Sequence, residues 1–352
     1  MRIALAAAAL VLAGAPPPRP VEDGPFRPGD LIVSEGELAR GCADRAAEEL
    51  RFRGVVRIEH DGELLVEKGY GGRDPATAFW VASVSKSFTA VLVLRLQEQG
   101  KLRLEDPIAR HLPDAPAAAR EITVDDLLKH TSGLPRSTYE AEGIADAREA
   151  TRRILALPRG ERGKFAYTND GYALLAIVAE KAGGAPFQDL LRREVLDRAR
   201  LAHTGFWPGC AKGTPVAKLA RPPTGARAGE TWGSKGGEGI CATAGDLARF
   251  LRAVADGTLV APASRDLLWA HAVPTSAGSA GRGFFVSRSV RGEPVVWTRG
   301  TEERGHNAVV RWYPESRVLV AVASDVAEPR AEVPAPSRAM GDLLEERLPR
   351  FP

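Results

Sequence analysis

Apolar positions recur along this chain at two spacings, and the spacing changes from segment to segment. Over residues 35–51 the interval is helical, with Leu38, Cys42, Ala46 and Leu50 on one side. Two β-type runs, 55–59 and 64–67, then flank Asp61-Gly62, a dipeptide that favours the tight turn of a hairpin. Residues 83–99 return to helical spacing, with Phe88, Val91, Leu92 and Leu96 toward a core and Gly100 marking the end. From Ile108 to about Pro223 the chain is rich in helices and loops, with helices predicted over 125–129, 146–157 and 171–182. Beyond Gly236 the pattern is mixed: a helix over 244–255, strands near 283–287, 295–298, 309–313 and 318–324, and a closing helix over 336–348. Strand signals at both ends with helices between them predict an α+β fold. It is an antiparallel sheet flanked by helices, with an all-helical subdomain (about 108–225) inserted between the sheet's halves. No internal repeat is visible.

The first residues change the picture of where the chain works. Arg2, a short apolar run and Ala13-Gly14-Ala15 read as a signal peptide over 1–15, too short to span a bilayer. Residues 16–28, with Pro16 to Pro20, read as a disordered linker, and 29–352 as the folded domain. The expected location is periplasmic or extracellular, with no stable membrane insertion after cleavage. The 48 basic and 45 acidic side chains leave a net charge of +3, too balanced for a nucleic-acid partner. Cys42, Cys210 and Cys241 are an odd set, so at least one thiol stays free within the monomer, while export permits one disulfide of unassigned pairing. The six histidines do not cluster and no cysteine has a ligand-like spacing, so no metal is expected. There is no G-x-S-x-G elbow, and no strand leads into Gly237-Glu238-Gly239 as a dinucleotide loop requires, so no cofactor is expected either.

The candidate chemistry starts at Ser83-Val84-Ser85-Lys86, where the helical run over 83–99 opens. Residues i and i+3 share a helix face, so an amine here can take, or help another group take, the serine proton. Ser83 is equally suited to cap the helix. Tyr167-Thr168-Asn169 follows 84 residues after Ser83. Tyr167 offers a phenol that can act as a base where cations lower its pKa, and Asn169 an amide that can orient a substrate carbonyl. The same stretch also has turn composition.

With residues 124–135 (Val-Asp-Asp-Leu-Leu-Lys-His-Thr-Ser-Gly-Leu-Pro), 100–107 and 239–246, this ordered set resembles the serine β-lactamase-related family. That family comprises class C β-lactamases, D-alanyl-D-alanine peptidases and related esterases. The likeness runs from about Gly54 to about Ser324 and implies a β-lactamase/transpeptidase-like fold with catalytic groups in the groove between its two parts. It also makes His130 part of a structural helix end rather than a base. The family's strand element K-x-G or H-x-G is absent as such. In one register Thr298-Arg299-Gly300 replaces it, followed by Gly305-His306-Asn307. In the other, His306-Asn307-Ala308 is the element itself. The first keeps a glycine where backbone must approach a ligand and is favoured.

The resemblance implies a secreted serine hydrolase forming an acyl-enzyme on Ser83. Lys86 and Tyr167 share the proton work, and the choice of base stays open. Asn169, Thr298, Arg299, Gly300, Thr301 and His306 form the substrate-binding and oxyanion set, with the N–H groups of Ser83 and Thr301 as the hole. The missing cation ranks small-molecule carboxylic esters or small amides ahead of β-lactams and D-alanine-terminated peptides. The alternative of another class is a non-catalytic binding module on the same fold.

Overall fold

The computed structural model describes residues 34–112, 115–207, 210–217, 231–302, 305–326 and 334–351. The expected signal peptide and linker lie outside these residues.

In chain order the elements are α1 (Glu35–Leu50), β1 (Gly54–His60), β2 (Glu63–Tyr70), β3 (Ala78–Trp80) and a 3₁₀ turn, Ala82–Val84, that runs into α2 (Ser85–Glu98). Then come α3 (Val124–Leu128), α4 (Ala147–Ala156), α5 (Asn169–Gly183) and α6 (Phe187–Leu191). β4 (Gly205–Phe206), β5 (Ile240–Thr243), α7 (Ala244–Ala255) and α8 (Pro262–Leu268) follow. The last part holds β6 (Val273–Thr275), β7 (Gly278–Ala280), β8 (Phe285–Arg288), β9 (Pro294–Thr301), β10 (Asn307–Tyr313), β11 (Val318–Ser324) and α9 (Pro336–Arg347).

Among the described residues the main sheet has the strand order β2-β1-β11-β10-β9-β8-β7-β6, antiparallel throughout. β11 pairs with β1 (Val56↔Val322) on one side and with β10 (Val309↔Val322) on the other, which joins the two ends of the chain. One face of the sheet packs Val56, Ile58, Val320 and Val322 against Ala39, Ala43 and Ala46 of α1 and Met340 and Leu344 of α9. The other face packs Val55, Val310, Ala321 and Ala323 into the larger core with α2, α5 and α7. With both faces covered, β11 is an apolar run from Val318 to Ala323 rather than an alternating one.

The sequence expected α2 to bury one face; eleven of its fourteen residues are buried. It runs between the sheet and α5, so even its polar positions Ser85, Lys86, Ser87 and Thr89 lie inside and are hydrogen-bonded. A second small sheet, β3-β5-β4, had no counterpart in the sequence reading. Strands of two to four residues are too short to show a period.

Candidate active site

Ser83 lies in the 3₁₀ turn before α2. It does not cap the helix: the cap position is Val84, which makes no side-chain cap bond. The preceding residue, Ala82, has φ 45°, a left-handed conformation that costs a non-glycine residue about 1–2 kcal/mol. Such strain persists only where the surroundings hold it. Here β9 does so. A Cβ on Gly300 would lie 2.1 Å from the Val81 carbonyl oxygen and 2.6 Å from the Ser83 nitrogen. Only a glycine allows the strand to come this close to the turn.

Lys86 is 3% exposed, and its ammonium meets three oxygens: Ser83 Oγ at 3.1 Å, Asn169 Oδ1 at 2.7 Å and the Gly237 carbonyl at 2.9 Å. The Asn169 and Gly237 oxygens can only accept, so they take two N–H groups. The remaining tetrahedral position of Nζ faces Ser83 Oγ. It holds a proton when Lys86 is charged and a lone pair when it is neutral. The Asn169 amide oxygen is therefore committed to Lys86.

Asn169 opens α5, two residues earlier than the helical spacing suggested, and is 6% exposed. Asp170 beside it accepts the Glu140 and Ala141 N–H groups, which ties the 137–141 loop to the start of α5. The Ser137 N–H donates to the Tyr167 carbonyl at 2.9 Å. The Tyr167 ring centroid is 4.9 Å from Lys86 Nζ. Among the described residues its phenol makes no hydrogen bond, so Lys86 is the group in contact with the Ser83 hydroxyl.

His130 stands behind Tyr167, with ring centroids 4.4 Å apart. Its carbonyl accepts the Ala166 N–H at 2.8 Å and its Nδ1 accepts the Thr168 N–H at 3.2 Å, one on each side of Tyr167. Burial, and secondly the Lys86 charge, push its pKa down to about 3. A neutral ring that accepts at Nδ1 carries its proton on Nε2. His130 thus buttresses Tyr167.

The strand residues separate. Thr298 is 3% exposed and its hydroxyl is 2.9 Å from Ser87 Oγ. Arg299 is on the opposite face of β9, its guanidinium 5.5 Å from the Trp297 ring. Gly300 abuts Ser83, and Thr301 is exposed at the end of β9. His306 lies outside this cluster. It is fully buried before β10, its Nδ1 accepts the Trp80 N–H at 2.8 Å, and its ring packs edge-on against Phe79 and Trp207.

A narrow cleft opens onto Ser83, Lys86, His130, Tyr167, Phe285, Thr298 and Arg299. Among the described residues no cluster of metal-ligating side chains occurs and no helix is long and apolar enough to cross a membrane.

Sequence reasoning missed the Gly237 carbonyl, because a backbone acceptor has no side-chain signal. It missed equally the groups that hold its turn. Thr89 Oγ1 donates to Gly236 O at 2.7 Å, the Ile240 N–H donates to Ser85 Oγ at 3.0 Å, and Trp80 Nε1 donates to Glu238 O. β5, which follows this turn, is stapled through Cys241 to Cys210, while Cys42 is free and buried.

The family model described as Beta-lactamase matches residues 39–345. A putative penicillin-binding protein, PbpX, of Bacillus subtilis is 28% identical over 68% of this chain and 63% of its own length. A teichoic acid D-alanine hydrolase of Staphylococcus aureus is 29% identical over 47% of this chain and 43% of its own. The chain therefore spans less than two thirds of the length of these curated relatives. The octameric penicillin-binding protein homologue from Pyrococcus abyssi shares the fold at a TM-score of 0.72, with 22% identity over 88% of this chain and 78% of that one.

Proposed function

The chain belongs to the beta-lactamase family of serine hydrolases, and from that premise we propose that it cleaves carboxylic esters or small amides through an acyl-enzyme on Ser83. The observation that carries this reading is the 3.1 Å contact between Lys86 Nζ and Ser83 Oγ, with two carbonyl oxygens holding the amine in orientation. In the reactive state Lys86 is neutral and its lone pair accepts the Ser83 proton. The serine oxygen bonds to the substrate carbonyl carbon. Charge on the carbonyl oxygen develops against the N–H groups of Ser83 and Thr301, a hole contributing about 3–4 kcal/mol per donor. The bond to the leaving oxygen or nitrogen then breaks, and the proton passes to it from Lys86, with Tyr167 beside the pair as the second acid–base group. Water repeats the attack and frees Ser83.

Thr298 in place of a cation supports substrates without a carboxylate over carboxylate-bearing β-lactams. The penicillin-binding protein among the relatives favours a second reading, a β-lactamase or D-alanyl-D-alanine carboxypeptidase. A chromogenic ester, a chromogenic cephalosporin and a D-Ala-D-Ala peptide assayed side by side separate the two. The first reading expects the ester to dominate, and efficient cephalosporin turnover that disappears in Arg299→Ala would contradict it. A binding module on this fold would leave all three intact. The leader over residues 1–15 supports export to the periplasm or beyond. N-terminal sequencing of protein from the native cell checks that, and an intact Met1 would refute it.

A further inference from the structure

The direction of the Thr298 proton follows from its neighbours. Ser87 Oγ lies 2.5 Å from the Gly283 carbonyl oxygen and 2.9 Å from Thr298 Oγ1. A carbonyl only accepts, and a serine hydroxyl carries one proton. The Ser87 proton therefore goes to Gly283, and the Thr298 proton is the one donated between the two hydroxyls. Ser87 is fully buried and Thr298 nearly so, so water does not compete for these bonds. The Gly283 carbonyl is itself held in place. The residue has φ 77°, and a Cβ there would lie 2.5 Å from Ala90 Cβ and 3.0 Å from the Lys86 carbonyl. Thr298 lines the cleft beside Ser83 and Lys86. With its proton committed to Ser87, its hydroxyl has only lone pairs for a ligand.

The two cationic residues at the cleft are directed elsewhere, Lys86 to its three oxygens and Arg299 to the Trp297 face. Resting on the hydrolase reading above, we propose that the Thr298 subsite is a hydrogen-bond acceptor. The substrate then carries an ammonium or other N–H donor close to the scissile carbonyl, where a carboxylate would meet lone pairs.

Three small methyl esters test this: D-alanine methyl ester with an α-ammonium, methyl isobutyrate as the neutral isostere, and monomethyl malonate with a carboxylate. Their binding to the Ser83→Ala protein is measured by calorimetry, and their turnover by the wild type in parallel. The ammonium ester should bind ten- to a hundredfold tighter than the isobutyrate, as for one charge-assisted hydrogen bond, and the malonate weakest. Thr298→Val removes the lone pairs and should abolish the ammonium preference. Ser87→Ala releases the Thr298 proton and should shrink that preference while easing malonate binding. Equal or reversed ranking of the ammonium and carboxylate esters overturns the proposal, as does a preference that both substitutions leave untouched. Wild-type turnover of none of the esters, with the binding ranking intact, would refute the hydrolase reading and leave the acceptor subsite standing.

Discussion

Lys86 meets three oxygens with one amine, and that count determines what its loss does. Lys86→Met removes the group that touches the Ser83 hydroxyl and strands two buried carbonyl acceptors, each costing about 1–3 kcal/mol. We expect at least a hundredfold fall in kcat together with a lower Tm, whereas Tyr167→Phe should lower kcat alone. Combined, the two losses should fall well short of their product, because residues that share one step are non-additive. A strictly multiplicative loss in ester kinetics would separate their roles. His130 makes a pH prediction. It is neutral in the folded protein, with its pKa pushed down to about 3, while an exposed imidazole titrates near 6.5. Below about pH 6.5 the unfolded chain binds a proton that the folded one does not. The stability tied to this ring is thus complete above pH 6.5 and is lost as pH falls toward 3, by up to about 1.4 kcal/mol per unit. His130→Asn suits the left-handed backbone (φ 57°) and keeps an acceptor for Thr168, so it should flatten this limb in acid melts. An unchanged limb would contradict the assignment. At this scale Ser83, Lys86, Tyr167 and Asn169 were legible because each carries its chemistry in a side chain at a telling spacing. The Gly237 carbonyl and the Ser87–Thr298 pair were not, since they depend on what the fold brings alongside.

β9 sets the site by how near it comes to the Ser83 turn. Gly300→Ala drives a Cβ into backbone at Val81 and Ser83, atoms that cannot rotate away. The turn or the strand must shift, and we expect kcat/KM to fall at least a hundredfold with a modest loss of Tm. Near-normal ester kinetics in that variant would show that the close approach is dispensable. The long elements that position this strand were readable from their periods: α1, the β1–β2 hairpin, α7, β10, β11 and α9 lie within a few residues of their expected bounds. The short ones were not. β3 and β5 are only three and four residues long, yet Trp80 of β3 and the turn ahead of β5 hold the acceptor for Lys86. Helical spacing placed only Phe88, Val91, Leu92 and Leu96 of α2 toward a core, whereas its polar positions are also buried, against α5 and the Gly236–Gly237 turn.

Over the whole molecule two closures hold the site together. The pairing of β11 with β1 and β10 makes one sheet from the two ends of the chain, as the strand-helix-strand pattern predicted. The Cys210–Cys241 disulfide, whose pairing the odd cysteine count could not give, closes a span of 31 residues next to the Lys86 acceptor turn. Its loss in Cys210→Ser should cost about 3–4 kcal/mol, seen as a lower Tm that reductant no longer changes. An identical melt with and without the bond would contradict this. Everything in the site serves acylation of Ser83, and peptide-level mass spectrometry after brief treatment with a fluorophosphonate probe tests that step. A single adduct is expected on the peptide containing Ser83, absent in Ser83→Ala and slow to form in Lys86→Met. An unlabelled Ser83, or an adduct on another residue with ester turnover persisting in Ser83→Ala, would contradict it.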